Sequence, residues 1–341
     1  MRKAWLDYLR VIALLAVITG HIIVDFYGRF GEIGRAEWWL SNILLALLRF
    51  AVPIFVMTSG AVLLGRSYTI GEFYKKRAVR LIPPTIFWNL FYLGLYILDG
   101  MDTKTLLWTL KAEVVVNGFI APHLWYLSMF ICLMVFAPFI NNFILGEKPT
   151  ARDLSVLLGL AFPFFLLNTV ACFSENVYAL TMEWFKIFPW FIIYFIAGYY
   201  IDNYSDKISL RNGIIVAAII VLTGIGAGLN YYSVTSLGIT EDYFISTERG
   251  PLVFLISMLL FLLVKKLSPR LVANKVISAI AAASFGIYLI HEIFNGIFCK
   301  ILPDYYSHGL IYIPTVAVLT FILSFISIYL LRKIPFMRAL C

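Results

Sequence analysis

The sequence predicts an all-α polytopic membrane protein with about ten transmembrane helices and both termini in the cytoplasm. Three observations carry that prediction. Of the 341 residues, 62% are hydrophobic and only 13% charged, against about 45–50% and about 25% in ordinary soluble domains. A water-soluble fold of this length has no interior large enough for so much apolar side chain. The apolar residues also fall into runs of span length, and the basic residues favour alternate loops.

The runs between polar breaks cover about 6–28, 39–64, 81–98, 123–144, 154–172, 187–201, 212–232, 250–264, 276–299 and 310–331. The sixth and eighth are short, so two neighbours pairing as a re-entrant hairpin is the alternative. The opening Met1-Arg2-Lys3 resembles the charged region of a signal peptide. Asp7 and Arg10 interrupt it and no small-residue cleavage site follows, so the first run reads as a retained span. No internal repeat divides the chain, which reads as one transmembrane domain over 1–341 with no fused soluble domain.

Orientation follows from the Lys and Arg residues of alternate loops. With the N-terminus inside, 18 of them fall on the cytoplasmic side and 7 outside, and Arg10 and Arg49 remain within spans. The net charge of +8 is thereby scattered over loops, so no nucleic-acid partner is expected. The four cysteines have no metal-binding or CxxC spacing, and no metal is expected.

Ionisable groups inside spans carry the functional reading. A charge in the hydrocarbon costs at least about 2.5–3.5 kcal/mol, so it needs a polar cavity or a partner. Span 1 holds Asp7, Arg10, His21 and Asp25. Arg10 and His21 lie within about 20° of one helical face and roughly 16 Å apart along it. Asp25, one turn beyond His21, is placed to orient the imidazole, and Asp7 to pair with Arg10. Interfacial anchoring of Asp7 and Arg10, or a structural bond for His21, is the plainer alternative. Arg49 lies in span 2, four residues before Pro53, where proline disturbs the helix. Arg49 stays charged, so it calls for an anion or a carboxylate partner.

The densest basic run holds Lys75, Lys76, Arg77 and Arg80. It reads either as a lipid-headgroup anchor or as a phosphate-binding rim at a cavity mouth. His123 opens span 4 and His291 lies in span 9, both at an outer depth similar to that of His21, which suggests a polar chamber. His308 falls in an outer loop and has no assigned role.

Four segments resemble one family. They are Leu6-Asp7-Tyr8-Leu9-Arg10 with His21 eleven residues on; Arg49-Phe50-Ala51-Val52-Pro53 running into Ser59-Gly60; Lys76-Arg77 with Arg80 and Pro83; and Ser284 to His291. His123-Leu124-Trp125 supports them. In this order, over nearly the whole chain, they resemble the acyltransferase-3 family of bacterial membrane O-acyltransferases. The likeness is to the standalone type, which modifies surface glycans. Phe50 and Ala51 follow Arg49 where some relatives carry a second charged residue.

The resemblance implies transfer of an acyl group, usually acetyl, from cytoplasmic acyl-CoA to a hydroxyl of a cell-surface glycan or lipid-linked saccharide. The setting is a multi-pass protein of the bacterial plasma membrane, in contact with membrane lipid. Acetyl-CoA serves as the donor substrate. His21 would be base or acyl carrier, Asp25 would fix its tautomer, and Arg49 would steady the donor or the oxyanion. Arg10, Lys75, Lys76, Arg77 and Arg80 would bind the donor, and His291 and His123 the acceptor or a relayed proton. A transporter or flippase using the same chamber is the competing class.

Overall fold

The computed structural model describes residues 3–108, 120–172, 190–238, 248–302 and 305–341. They are helical, with no strand among the described residues. The chain runs through α1 (Ala4–Tyr27), α2 (Arg35–Leu48), α3 (Ala51–Leu63), α4 (Ile70–Leu98), the short α5 (Thr103–Trp108) and α6 (Trp125–Glu147). It continues through α7 (Ala151–Cys172), α8 (Trp190–Tyr204), α9 (Asn212–Leu237), α10 (Pro251–Lys266), α11 (Lys275–Ile301) and α12 (Gly309–Leu331).

Seven helical stretches among the described residues are long and apolar enough to cross a membrane. They are Ala4–Tyr27, Arg35–Leu63, Ile70–Leu98, Pro122–Glu147, Asn212–Leu237, Lys275–Ile301 and Tyr305–Leu331. The other three expected spans fall on α7, α8 and α10. At 16 residues, α10 reaches only about 24 Å, short of a ~30 Å hydrocarbon core, and α8 is described over 15 residues. Part of the expected span 187–201, and the loop residues Lys111 and Lys186, lie outside the described residues.

The first helix is the hub. Leu9, Leu14, Ile18, Ile23 and Phe26 are fully buried, and α1 packs against α2, α3, α11 and α12. Around it, α3 and α8 approach so closely that a Cβ on Gly60 would collide with the Phe195 carbonyl, and one on Gly198 with the Met57 carbonyl. Small residues permit such backbone contact where apolar burial gives no preference for helix over lipid. Asn42 on α2 donates to the Ala227 carbonyl at 3.0 Å and accepts from Asn230 at 3.0 Å, tying α9 to α2. Exposed aliphatic side chains such as Ile220, Val221, Ile322 and Ile326 clothe the outside.

Two local departures from the expected spans matter for the site. The expected span 39–64 is interrupted at Arg49–Phe50, between α2 and α3. Pro53 lacks an N–H, and its ring crowds the carbonyl four residues back, which is that of Arg49. The third span begins eleven residues earlier than expected, because Thr69 and Glu72 form a reciprocal capping box. Lys75, Lys76, Arg77 and Arg80 are therefore part of a continuous helix rather than a loop. At the same end of the bundle, Asp202 pairs with Lys3 and, at 3.0 Å, with Lys265.

Candidate active site

Three histidines from distant parts of the sequence meet around one carboxylate. His21 comes from α1, His123 from a single 3₁₀ turn (Pro122–Leu124) ahead of α6, and His291 with Glu292 from α11. The ring centroids are 5.1 Å apart for His21 and His291, 5.4 Å for His123 and His291, and 6.3 Å for His21 and His123. Glu292 Oε1 lies 3.4 Å from His21 Nδ1 and 3.2 Å from His291 Nε2. His123 and His291 are buried, whereas His21 and Glu292 are only partly covered.

His291, Glu292 and the turn that carries His123 are each held by a further polar contact. Asn295 donates to Glu292 Oε1 at 3.1 Å and accepts from the Thr320 hydroxyl of α12 at 3.1 Å. His291 Nδ1 is 2.6 Å from the Tyr288 carbonyl. A carbonyl can only accept, so Nδ1 carries the ring proton. The Tyr288 hydroxyl donates to the His123 carbonyl, and the Tyr92 hydroxyl to the Leu289 carbonyl at 2.8 Å. Asn89 accepts from the Ile120 N–H at 2.7 Å, anchoring the turn that delivers His123. Hydrogen bonds of this kind fix side-chain positions in a low-dielectric interior.

A second chamber lies toward the Arg10 end. It is a cavity of about 330 Å³ lined by Arg10, Arg77, Arg80, Ser59, Tyr126 and Tyr288, among others. Asp7 holds Arg10 at 3.3 Å and accepts from Ser278 at 3.2 Å, pinning α1 to α11. Arg77 Nε is buried with no hydrogen-bond partner among the described residues. Tyr288 joins the two chambers. It lines the cavity, and its ring is 5.8 Å from that of His291 and 5.9 Å from that of His123.

The structure thus brings His21, His123 and His291 together, and Arg10, Arg77 and Arg80 together. Lys75 and Lys76 are exposed and do not line the cavity. Arg49 pairs with Glu248 at 3.5 Å, and the Glu248 carbonyl accepts from Tyr194 at 2.7 Å. Asp25 does not make the contact expected of it. It is exposed one turn beyond His21, and Glu292 reaches His21 Nδ1 from across the α1–α11 interface.

Glu292 is the residue that sequence reasoning passed over. Its signal was present, since an acid inside an apolar run is a functional candidate by default. Glu248 and Asn295 had no comparable signal, because their roles depend on which helices become neighbours.

Neither a curated protein nor a solved structure matches this chain. The model of the Acyl_transf_3 acyltransferase domain covers residues 3–329, which takes in α1 through nearly all of α12 and both chambers. The chain belongs to the acyltransferase-3 family.

Proposed function

We propose that this acyltransferase takes an acyl group, acetyl in the simplest case, from cytoplasmic acyl-CoA and places it on a hydroxyl of a cell-surface glycan or lipid-linked saccharide. The observation that carries the reading is the pairing of His21 with Glu292 beside a cavity lined by three arginines. Arginines suit the phosphates of the donor, as a guanidinium binds phosphate oxygens in a bidentate manner. The orphan Nε of Arg77 is a donor awaiting an acceptor. From Arg10 to His21 is roughly 16 Å along α1, a distance that an extended pantetheine arm spans.

In this scheme His21 Nδ1–H faces Glu292, which leaves the Nε2 lone pair for the acceptor. Nε2 takes the hydroxyl proton as the oxygen attacks the thioester carbonyl. The tetrahedral oxyanion collapses, the C–S bond breaks, and the CoA thiolate recovers its proton from the His21 imidazolium. Arg49, restrained by Glu248, offsets charge on the donor or the oxyanion. His123 and His291 bind the acceptor or relay its proton.

The test uses purified protein in liposomes with acetyl-labelled acetyl-CoA, comparing wild type with His21→Ala. Label transferred to a glycan acceptor, together with released CoA, should fall by about 10²–10⁴-fold in the variant. Retained transfer would remove His21 from the mechanism. Solute movement by a wild type that neither binds nor turns over the donor would replace the reading with transport.

A further inference from the structure

We propose that His21 Nδ1, His291 Nε2 and Glu292 Oε1 form a site for a divalent cation of the zinc type, and that a cation bound there stops acyl transfer. The inhibitory half rests on the base role given to His21 above; the binding half does not.

The first support is metrical. The three ligand atoms lie within 4.8 Å of one another, and the two edges that meet at Glu292 Oε1 are 3.4 and 3.2 Å. Tetrahedral zinc with bonds of about 2.0–2.1 Å has ligand–ligand edges of about 3.3 Å. Cation binding requires the remaining edge to shorten by rotation of His21, the ligand whose side chain is one-third exposed.

The second support is the orientation of lone pairs. His291 holds its proton on Nδ1, at the Tyr288 carbonyl. In the neutral ring, Nε2 therefore presents a lone pair to the carboxylate oxygen 3.2 Å away. Two acceptors then face one another at a fully buried residue, and Nε2 has no hydrogen-bond partner among the described residues. A positive charge has to lie between them, either a second proton or a metal ion. A ligating histidine whose other nitrogen donates to a backbone carbonyl is the arrangement that metal sites use to fix the tautomer. Asn295 and Thr320 orient the carboxylate from behind in the same way.

The third support is the donor set. Two imidazoles and one glutamate, with a fourth position open, is the ligand set of zinc sites that accept a further ligand. Neutral imidazoles and one carboxylate sum to −1, so a +2 ion is electrostatically favoured in this partly dry interior. His123, whose Nε2 is also buried without a partner among the described residues, flanks the site.

Inhibition follows from the tautomer of His21. A cation on Nδ1 moves the single ring proton of the neutral imidazole to Nε2. The nitrogen that faces the acceptor then has no lone pair with which to take the hydroxyl proton.

The experiment uses the full-length protein in nanodiscs, stripped with chelator. Zn²⁺ is titrated calorimetrically, and Co²⁺ is added to read ligand-field bands in visible light. One Zn²⁺ per chain is expected, with Co²⁺ bands of a tetrahedral nitrogen–oxygen site. Binding should weaken at least about tenfold in both His291→Ala and Glu292→Gln, with folding checked by gel filtration and thermal unfolding. Acetyl transfer by wild type should stop at stoichiometric Zn²⁺ and return with chelator. Absence of stoichiometric binding, or equal affinity in both variants, overturns the site and leaves the acyltransfer scheme standing. The Co²⁺ spectrum of wild type decides the coordination even where a variant fails to fold. Stoichiometric binding that raises acetyl transfer overturns the inhibitory half, and with it the base role of His21.

Discussion

The two chambers on either side of Tyr288 are built on different physical terms. The arginine cavity is about 330 Å³ and gathers three cations. Asp7 holds one of them, and a donor atom of another is left over. Such a site acts through charge and tolerates ångström displacements, because Coulomb attraction falls off slowly with distance. The histidine chamber joins His21, His291 and Glu292 through contacts of 3.2–3.4 Å, with His291 and Glu292 each oriented by a further hydrogen bond. Such a site acts through direction, and a small displacement costs it most of its effect. Under the proposed acyl transfer, holding a polyanionic donor and deprotonating a hydroxyl are tasks that such different sites can keep apart.

The comparison breaks most sharply at Glu292. Glu292→Gln keeps the side-chain volume and an oxygen for Asn295 but removes the charge facing His21 and His291. The expected result is a fall of about 10²-fold or more in kcat with unchanged affinity for acyl-CoA. Steady-state kinetics together with equilibrium donor binding give the two quantities. A rise in donor KM with kcat intact would mean that the chambers are not functionally distinct.

The converse change is Arg77→Ala with Arg80→Ala. Loss of two charge-assisted contacts to phosphate should weaken acyl-CoA binding by about 1.4–2.7 kcal/mol, or roughly tenfold to a hundredfold. The remaining affinity should depend less on salt, and kcat at saturating donor should hold. Affinity that does not change would return this stretch of α4 to a lipid-anchoring role.

These two regions were also unequally legible. Arg77, Arg80 and their neighbours lie within one basic run, and Arg10 shares a helical face with His21, so local periodicity suffices to find them. The histidine chamber joins residue 21 to residues 123 and 291, and no local pattern says that α1 and α11 pack together. Depth alone suggested that the three histidines could meet. The ligand set of Glu292 escaped because metal spacing is sought along the chain, whereas His21 lies 270 residues before His291, which Glu292 directly follows. The helical start at Ile70 was within reach of the sequence, through the Thr69–Glu72 capping box. The brevity of α10 was also within reach, since the eighth apolar run is itself short.

The scaffold offers a smaller effect that should touch both chambers alike. Gly60 follows Ser59 of the cavity wall and abuts the Phe195 carbonyl. Gly60→Ala would push α3 from α8, at a typical overpacking cost of about 1–3 kcal/mol. Thermal unfolding should shift downward, and donor affinity and kcat should decline together. A change in kcat alone would mean that α3 bears on the histidine chamber without moving the cavity.

The smallest effects belong to the exposed charges, and they sharpen the contrast by what they leave intact. Asp25 and Glu292 are both carboxylates within one turn of a chamber histidine, but only Glu292 makes the contact. Lys75 and Lys76 carry the same charge as Arg77 and Arg80 but do not line the cavity. Asp25→Asn should therefore change kcat by less than about twofold, as exposed groups usually contribute little. Lys75→Ala with Lys76→Ala should likewise leave donor affinity within about twofold at physiological salt. If Asp25→Asn reduced kcat as far as Glu292→Gln, the carboxylate that orients His21 during turnover would be the one on its own helix, and α1 would have to rotate to bring it there.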